Sequence, residues 1–351
     1  MGKKILLAAL LPIAGLLIEP LYGANKRFMG TLVDAHSQMR CDQKPSKIER
    51  VIEEIAIDYI LLTPGGCQKN ERFFSNIEKH QGDIAKFAKA NEKIFYLAGM
   101  KKLSQTNKKH QSQWRLNTLK PTLAIGEQAG DSFVGAGEVI IQHAIGQKDY
   151  GINPGTQLGL LDDELQQVIR EFASRKFPVI LHIELVDSAD KAEQTLRDLD
   201  ILLDRYPDSP FVLNHVGQGS LEQVSSLISR HRNLYFLLGQ TSGRFQIGTR
   251  TKKAGAQNGW ISFFDVEGKT RKEHIRKPAW SVGWRNLVEA HPERFVMGYD
   301  LVFASNWGKK LNQDVNIWRN ALGQLDIRIA VQIACGNARR LWDLPIDCKS
   351  N

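Results

Sequence analysis

Five residues able to bind metal or move protons stand in apolar runs of this chain. They are His36 in GTLVDAH, Glu138 in SFVGAGEV, His182 in FPVILHIE, His215 in PFVLNHVG and Asp300 in ERFVMGYD. Imidazole nitrogen and carboxylate oxygen together suit zinc, manganese or iron. Taken singly, each has an ordinary explanation. A strand-end histidine usually satisfies a hydrogen bond, a glutamate after Gly-Ala-Gly can cap a helix, and Asp300 can open the last helix. Their joint placement at strand ends points to a metal centre. Two more residues belong to the same reading. Gln38 follows His36 by two and Glu184 follows His182 by two, which on a strand is the same side. They are expected behind the ligands or against a substrate. His143, five residues past Glu138, is a conceivable substitute ligand, but a surface histidine in a loop is the expectation.

Positioning such a set requires a scaffold that brings distant strand ends together. Eight short β-type runs recur: 30–36, 56–63, 93–99, 132–139, 177–184, 210–217, 233–239 and 293–300. Most are continuous apolar stretches, as expected for strands buried on both faces of a parallel sheet. Between them lie amphipathic segments with helical spacing, such as KIERVIEEIA and DDELQQVIREFASRK. SADKAEQTLRDLDILLDRYP and SLEQVSSLISRH each open on a capping serine, Ser188 and Ser220. Eight strands alternating with helices predict an α/β chain folded as a (β/α)8 TIM barrel over residues 26–345, with 26–351 as one domain. An open doubly wound sheet fits less well, because no glycine-rich phosphate loop follows the first strand. In a barrel the C-terminal strand ends share one rim, where catalytic groups sit.

VDAHSQ, GAGEV, PVILHIE, FVLNHVG, RFVMGYD and the closing GNARRLWDL, in this order and spacing, resemble the amidohydrolase superfamily, especially its amidohydrolase-related branch. The resemblance covers nearly the whole chain after its N-terminal segment. It implies that His36, Glu138, His182, His215 and Asp300 are the metal ligands. Glu138 would stand where a carboxylate can bridge two ions, and Asp300 would also be the general base. The chain departs from the family at Gln38, where a second first-strand histidine is normal. A neutral amide oxygen is a poor donor to zinc beside an imidazole. The expectation is therefore one firmly held divalent ion, zinc before manganese or iron, at Glu138, His182 and His215. The activity implied is hydrolysis of an amide, lactone, ester or phosphoester bond by activated water. The alternatives are a related metal-dependent decarboxylase and a catalytically inactive barrel that binds a partner.

Bulk properties narrow the remaining choices. The N-terminus places Lys3 and Lys4 before the apolar run ILLAALLPIAGLLI, then Glu19 and Pro20, the order of a secretory signal over residues 1–25. The run is shorter than the ~20 residues that span a bilayer. Export to a periplasm or medium is expected, with an uncleaved membrane anchor as the alternative. Cys41, Cys67, Cys335 and Cys348 show no zinc-finger spacing, and sequence leaves their pairing open. A net charge of +9 at this length does not argue for nucleic acid, so the expected partner is a small-molecule substrate, and the Lys and Arg of the long connections could receive an acidic one. Two long connections are notable. Residues 100–131 contain KKLSQTNKKHQSQWR, and 240–292 hold nine Lys or Arg against three acids between Arg244 and Lys277. Trp260, Phe263, Phe264, Trp280 and Trp284 accompany the second, which is either a substrate lid or a solvated insertion. The stretches QTS (240–242) and NHVGQGS (214–220) add polar groups near the rim.

Overall fold

The computed structural model describes residues 27–350 except 42, 66–76, 100–103, 107–111, 115, 144–155, 186–188, 239–262, 266–272 and 274–275. The N-terminal signal-like segment, Ser188, Cys67, Trp260 and the QTS stretch lie outside the described residues, as do most of the basic residues of both long connections. No helix among the described residues is long and apolar enough to cross a membrane.

All eight predicted apolar runs contain strands of one parallel sheet: β1 (Val33–Met39), β2 (Tyr59–Pro64), β3 (Ile94–Gly99), β4 (Phe133–Ile140), β5 (Val179–His182), β6 (Phe211–Leu213), β7 (Leu234–Leu237) and β8 (Phe295–Val296). They pair in chain order. The circle closes between β1 and the residues following β8. Ala35 N–H donates to Met297 O (3.0 Å), Asp300 N–H to His36 O (2.8 Å) and Gln38 N–H to Leu301 O (3.1 Å). The architecture is a (β/α)8 barrel.

Helices fill each interval: α1 (Pro45–Ile55), α2 (Ile77–Ala90), α3 (Leu119–Gly126), α4 (Asp163–Ser174), α5 (Ala189–Arg205), α6 (Leu221–Arg230), α7 (Val282–Ala290) and α8 (Lys309–Leu322). α1 buries Ile48, Val51, Ile52 and Ile55, the stripe that its 3.6-residue period dictates. Ser220 caps α6 in a reciprocal box with Gln223, satisfying two of the helix's otherwise unmet N–H groups.

Phe263, Phe264, Trp280 and Trp284 belong to the core. Phe264 pairs with Trp280 across a short antiparallel bridge. Both rings, with Phe263, pack on Trp318 of α8 at centroid distances of 5.3–5.9 Å. Phe263 also meets Trp284 edge-on at 4.8 Å. Burying large aromatic area drives this placement regardless of the neighbouring charges.

Inside the barrel, Val33, Ala35, Leu61, Phe95, Leu97, Val134, Ile180, Val212, Leu237 and Val296 form one apolar cluster. It continues into Cys335, Ala338, Leu341, Trp342, Leu344 and Ile346, so the C-terminal segment plugs the barrel at the end opposite the rim. Cys335 and Cys348 are joined by a disulfide across 13 positions, and Cys41 is disulfide-bonded as well. Closing a loop of this length restricts the unfolded chain by about 3 kcal/mol. Replacing Cys348 with serine is therefore expected to lower unfolding free energy by about that amount. Denaturant titration of the variant, and of the wild type with and without reductant, measures it.

Candidate metal centre

The strands carry the site because two of them break their alternation. In β1, Asp34 pairs with Ile60 and Ser37 with Leu62 of β2, so β1 holds one extra residue between them. Val33 and Ala35 face the barrel interior, whereas Met39 packs with the helix-side core. The extra residue reverses the parity, and His36 and Gln38 turn inward. A side chain on Gly137 of β4, across the barrel, would begin 3.6 Å from His36 Nδ1. β1 thus runs three residues beyond the predicted end at His36. β4 repeats the device. Ala136 pairs with Val179 and Val139 with Leu181, which leaves Glu138 aimed inward between two helix-facing residues.

Buried Asp34 stitches the first irregularity. Its Oδ1 accepts from Tyr299 N (2.9 Å) and His36 N (3.3 Å), and its Oδ2 accepts from Ser37 Oγ (2.5 Å). Ser37 Oγ in turn accepts from Leu301 N (3.1 Å). β6 ends differently from prediction: the ladder stops at Leu213, and Asn214–Gln218 form a tight turn. His215, Val216, Gly217 and Gln218 all have positive φ, between 50° and 64°. Each non-glycine residue there costs roughly 1–2 kcal/mol, and such strain collects at functional sites. Asn214 supports the turn, its Oδ1 accepting from His215 N at 3.0 Å. Asp300, also left-handed at φ 42°, follows the two-residue β8 and is held by β1.

These elements bring all the candidate residues together. His36, Gln38, Glu138, His182, His215 and Asp300 are each at most 4% exposed, and Glu184 is 8% exposed. Donor atoms of Glu138, His182 and His215 lie within 4.8 Å of one another. His182 Nδ1 is 2.5 Å from Glu138 Oε1, and Asn214 Nδ2 donates to the same oxygen at 2.5 Å. Glu184 Oε1 stands 3.7 Å from His182 Nε2. The His182 and His215 rings meet edge-on at 5.2 Å. On the other side, Asp300 Oδ2 is 3.1 Å from His215 Nε2, and Oδ1 is 3.4 Å from His36 Nε2. Gln38 Nε2 donates to Asp300 Oδ1 at 3.0 Å. His143 pairs with Thr156 in a short antiparallel bridge, a placement distinct from the expected loop.

Charge is tightly managed. Burial works against protonation of His182, but the charge and hydrogen bond of Glu138, then those of Glu184, outweigh it and raise its pKa to about 10. Burial likewise opposes the Asp300 carboxylate, yet His215 and His36 hold it well below the ordinary range. Two imidazoles and a carboxylate are a sufficient donor set for a catalytic zinc. Bond lengths of 2.0–2.2 Å place such donors about 3.3 Å apart, within the spread observed. The residues therefore fit a divalent cation. Asp34 is the supporting residue that the sequence reading lacks, and Asn214 lies in the polar stretch noted near the rim. The readable signal for Asp34 was a charge inside an apolar strand.

No protein-family profile and no curated protein matches the chain. Solved structures do. A zinc-bound amidohydrolase from Burkholderia multivorans aligns with a TM-score of 0.52 at 11% identity, over 90% of this chain and 100% of that one. 4-Oxalomesaconate hydratase from Rhodopseudomonas palustris aligns at 0.51 and 11%, over 89% and 96%. Dihydroorotase from Saccharomyces cerevisiae, solved with 5-fluoroorotic acid, aligns at 0.50 and 11%, over 90% and 85%. The chain shares the (β/α)8 barrel fold of these proteins.

Burial raises the Asp34 pKa from its ordinary 3.8 to about 6, although its hydrogen bonds pull the other way. A carboxyl with a raised native pKa stabilises the fold below the unfolded value and loses that contribution as pH rises through the native one. Relative to Asp34→Asn, wild-type stability is expected to fall by about 3 kcal/mol between pH 3.8 and pH 6 and then level off. Parallel denaturant titrations of the two proteins across this window test it. A flat difference would contradict the assignment.

Proposed function

We propose that this protein is a metal-dependent hydrolase of the amidohydrolase type, acting on an amide, lactone, ester or phosphoester bond of a small molecule. The observation that carries the reading is the buried group of Glu138, His182 and His215, with donors within 4.8 Å of one another, beside Asp300. Glu138, His182 and His215 would hold the cation, for which zinc suits the donor set. When bound, the ion supplies Lewis acidity, polarising the electrophilic centre and lowering the pKa of water.

The chain's own residues supply the rest. Asp300, kept ionised by its histidine neighbours, accepts a proton from the attacking water at a carboxylate oxygen. It returns that proton to the departing nitrogen or oxygen, so acid and base are one group. Asn214 fixes the orientation of Glu138 through its amide, and Glu184 faces the outer edge of His182. Burial of the whole group excludes bulk water and strengthens each of these interactions. The substrate is expected to be a small acid. We also propose that the enzyme works outside the cytoplasm. The Lys-Lys-apolar N-terminal sequence and the Cys335–Cys348 disulfide support that reading, since such bonds persist in oxidising compartments.

Metal quantification on purified protein, followed by a hydrolysis screen over lactones, amides and phosphoesters, is the direct test. His182→Ala and His215→Ala are expected to lose bound metal and activity together. Asp300→Asn should keep its metal while activity falls 10²–10⁴-fold. Wild-type protein without metal, or histidine variants indistinguishable from it, would leave an inert binding barrel.

A further inference from the structure

His36 and Asp300 are two ligand-type side chains 3.4 Å apart, immediately beside the Glu138–His182–His215 group. By residue type alone they invite a second cation. Gln38 decides otherwise. Its Nε2 donates to Asp300 Oδ1 at 3.0 Å, on the same carboxylate oxygen that His36 faces. The other oxygen is 3.1 Å from His215 Nε2. The side of Asp300 where a second ion would sit therefore meets an N–H dipole with its positive end forward, which repels a cation. Turning the amide over would direct Oε1 at Asp300 Oδ1, setting two oxygens against each other in a site where all three side chains are at most 4% exposed. That arrangement is expensive in a buried environment.

We infer that Gln38 is the positioning residue of Asp300, and that its amide takes the place of a second cation, so the centre holds one divalent ion. This rests on the metal reading proposed above and adds to it a residue and an ion count. With Asp300 Oδ1 held by Gln38, Oδ2 is turned toward His215 and the ion-holding group. An imidazole at position 38 would supply a neutral nitrogen ligand to the same place, since parity already turns that position inward. Glutamate would do so with almost the same shape as glutamine.

The experiment loads metal-free wild type, Gln38→His, Gln38→Glu and Gln38→Met with zinc. It counts bound ions by mass spectrometry after gel filtration, with ¹¹³Cd resonances as a second count. One ion is expected in wild type and Gln38→Met, and two in Gln38→His and Gln38→Glu. The glutamate variant covers the case in which histidine does not fold. Positioning is read separately. The Gln38 side-chain amide resonance, identified by its loss in Gln38→Glu, should shift in Asp300→Ala. Two ions in wild type, one ion in both gain-of-ligand variants, or an amide resonance indifferent to Asp300→Ala would each overturn the inference. In the first two of these cases the metal reading stands. Absence of ions from every protein would overturn that reading and the ion count with it, while the amide resonance still judges the Gln38–Asp300 contact.

Discussion

The site depends on one extra residue in β1. A regular strand alternates its faces, so an inward Val33 and Ala35 would be followed by Ser37 and Met39, neither of which is a usual ligand for zinc. The insertion between Asp34 and Ser37 exchanges that pair for His36 and Gln38. Such a bulge leaves backbone groups outside the ladder, and here Asp34 takes them up. It accepts the His36 N–H within β1 and the Tyr299 N–H from the segment after β8. The carboxylate that repairs the bulge therefore also fastens the neighbouring segment, which carries Asp300. Closure of the barrel and delivery of its general-base candidate are one set of hydrogen bonds.

The charge pattern has the same economy. Glu138, Glu184 and Asp300 are buried with His36, His182 and His215, and each carboxylate has an imidazole within 4 Å. Carboxylates buried this deeply require compensation. A proton on His182, whose pKa Glu138 and Glu184 raise to about 10, provides part of it, and a divalent cation, where bound, would provide it instead. Hydrogen bonds beside these groups explain why the strained turn at His215 persists. Left-handed backbone at three non-glycine residues is tolerated because Asn214 and the Leu185 N–H to Gly217 O bond (2.9 Å) determine its course.

Sequence revealed the strands, the helices between them and the identity of the clustered side chains, because apolar periodicity and strand-end chemistry are local signals. It misjudged the ends of β1, β6 and β8. The β1 bulge is set by a hydrogen bond that Asp34 accepts from the N–H of Tyr299, 265 positions away. The β6 turn uses conformations that His215 and Val216 rarely adopt, and β8 keeps only two ladder residues because its continuation bonds to β1. The burial of Phe263, Phe264 and Trp280 against Trp318 was not legible for a related reason: it is a tertiary contact that no local window contains.

Parity also gives Gln38 its meaning. The direction of position 38 is fixed by the backbone: the bulge before it, and the Gln38 N–H to Leu301 O bond at its own residue. Neither depends on its side chain. A residue type at this position therefore selects the chemistry offered to Asp300 without disturbing the frame that holds Asp300. An amide N–H orients the carboxylate, an imidazole would share a cation with it, and an alkyl group would leave it to His36 and His215. The barrel supplies the address, and a single side chain decides how many charges the centre balances.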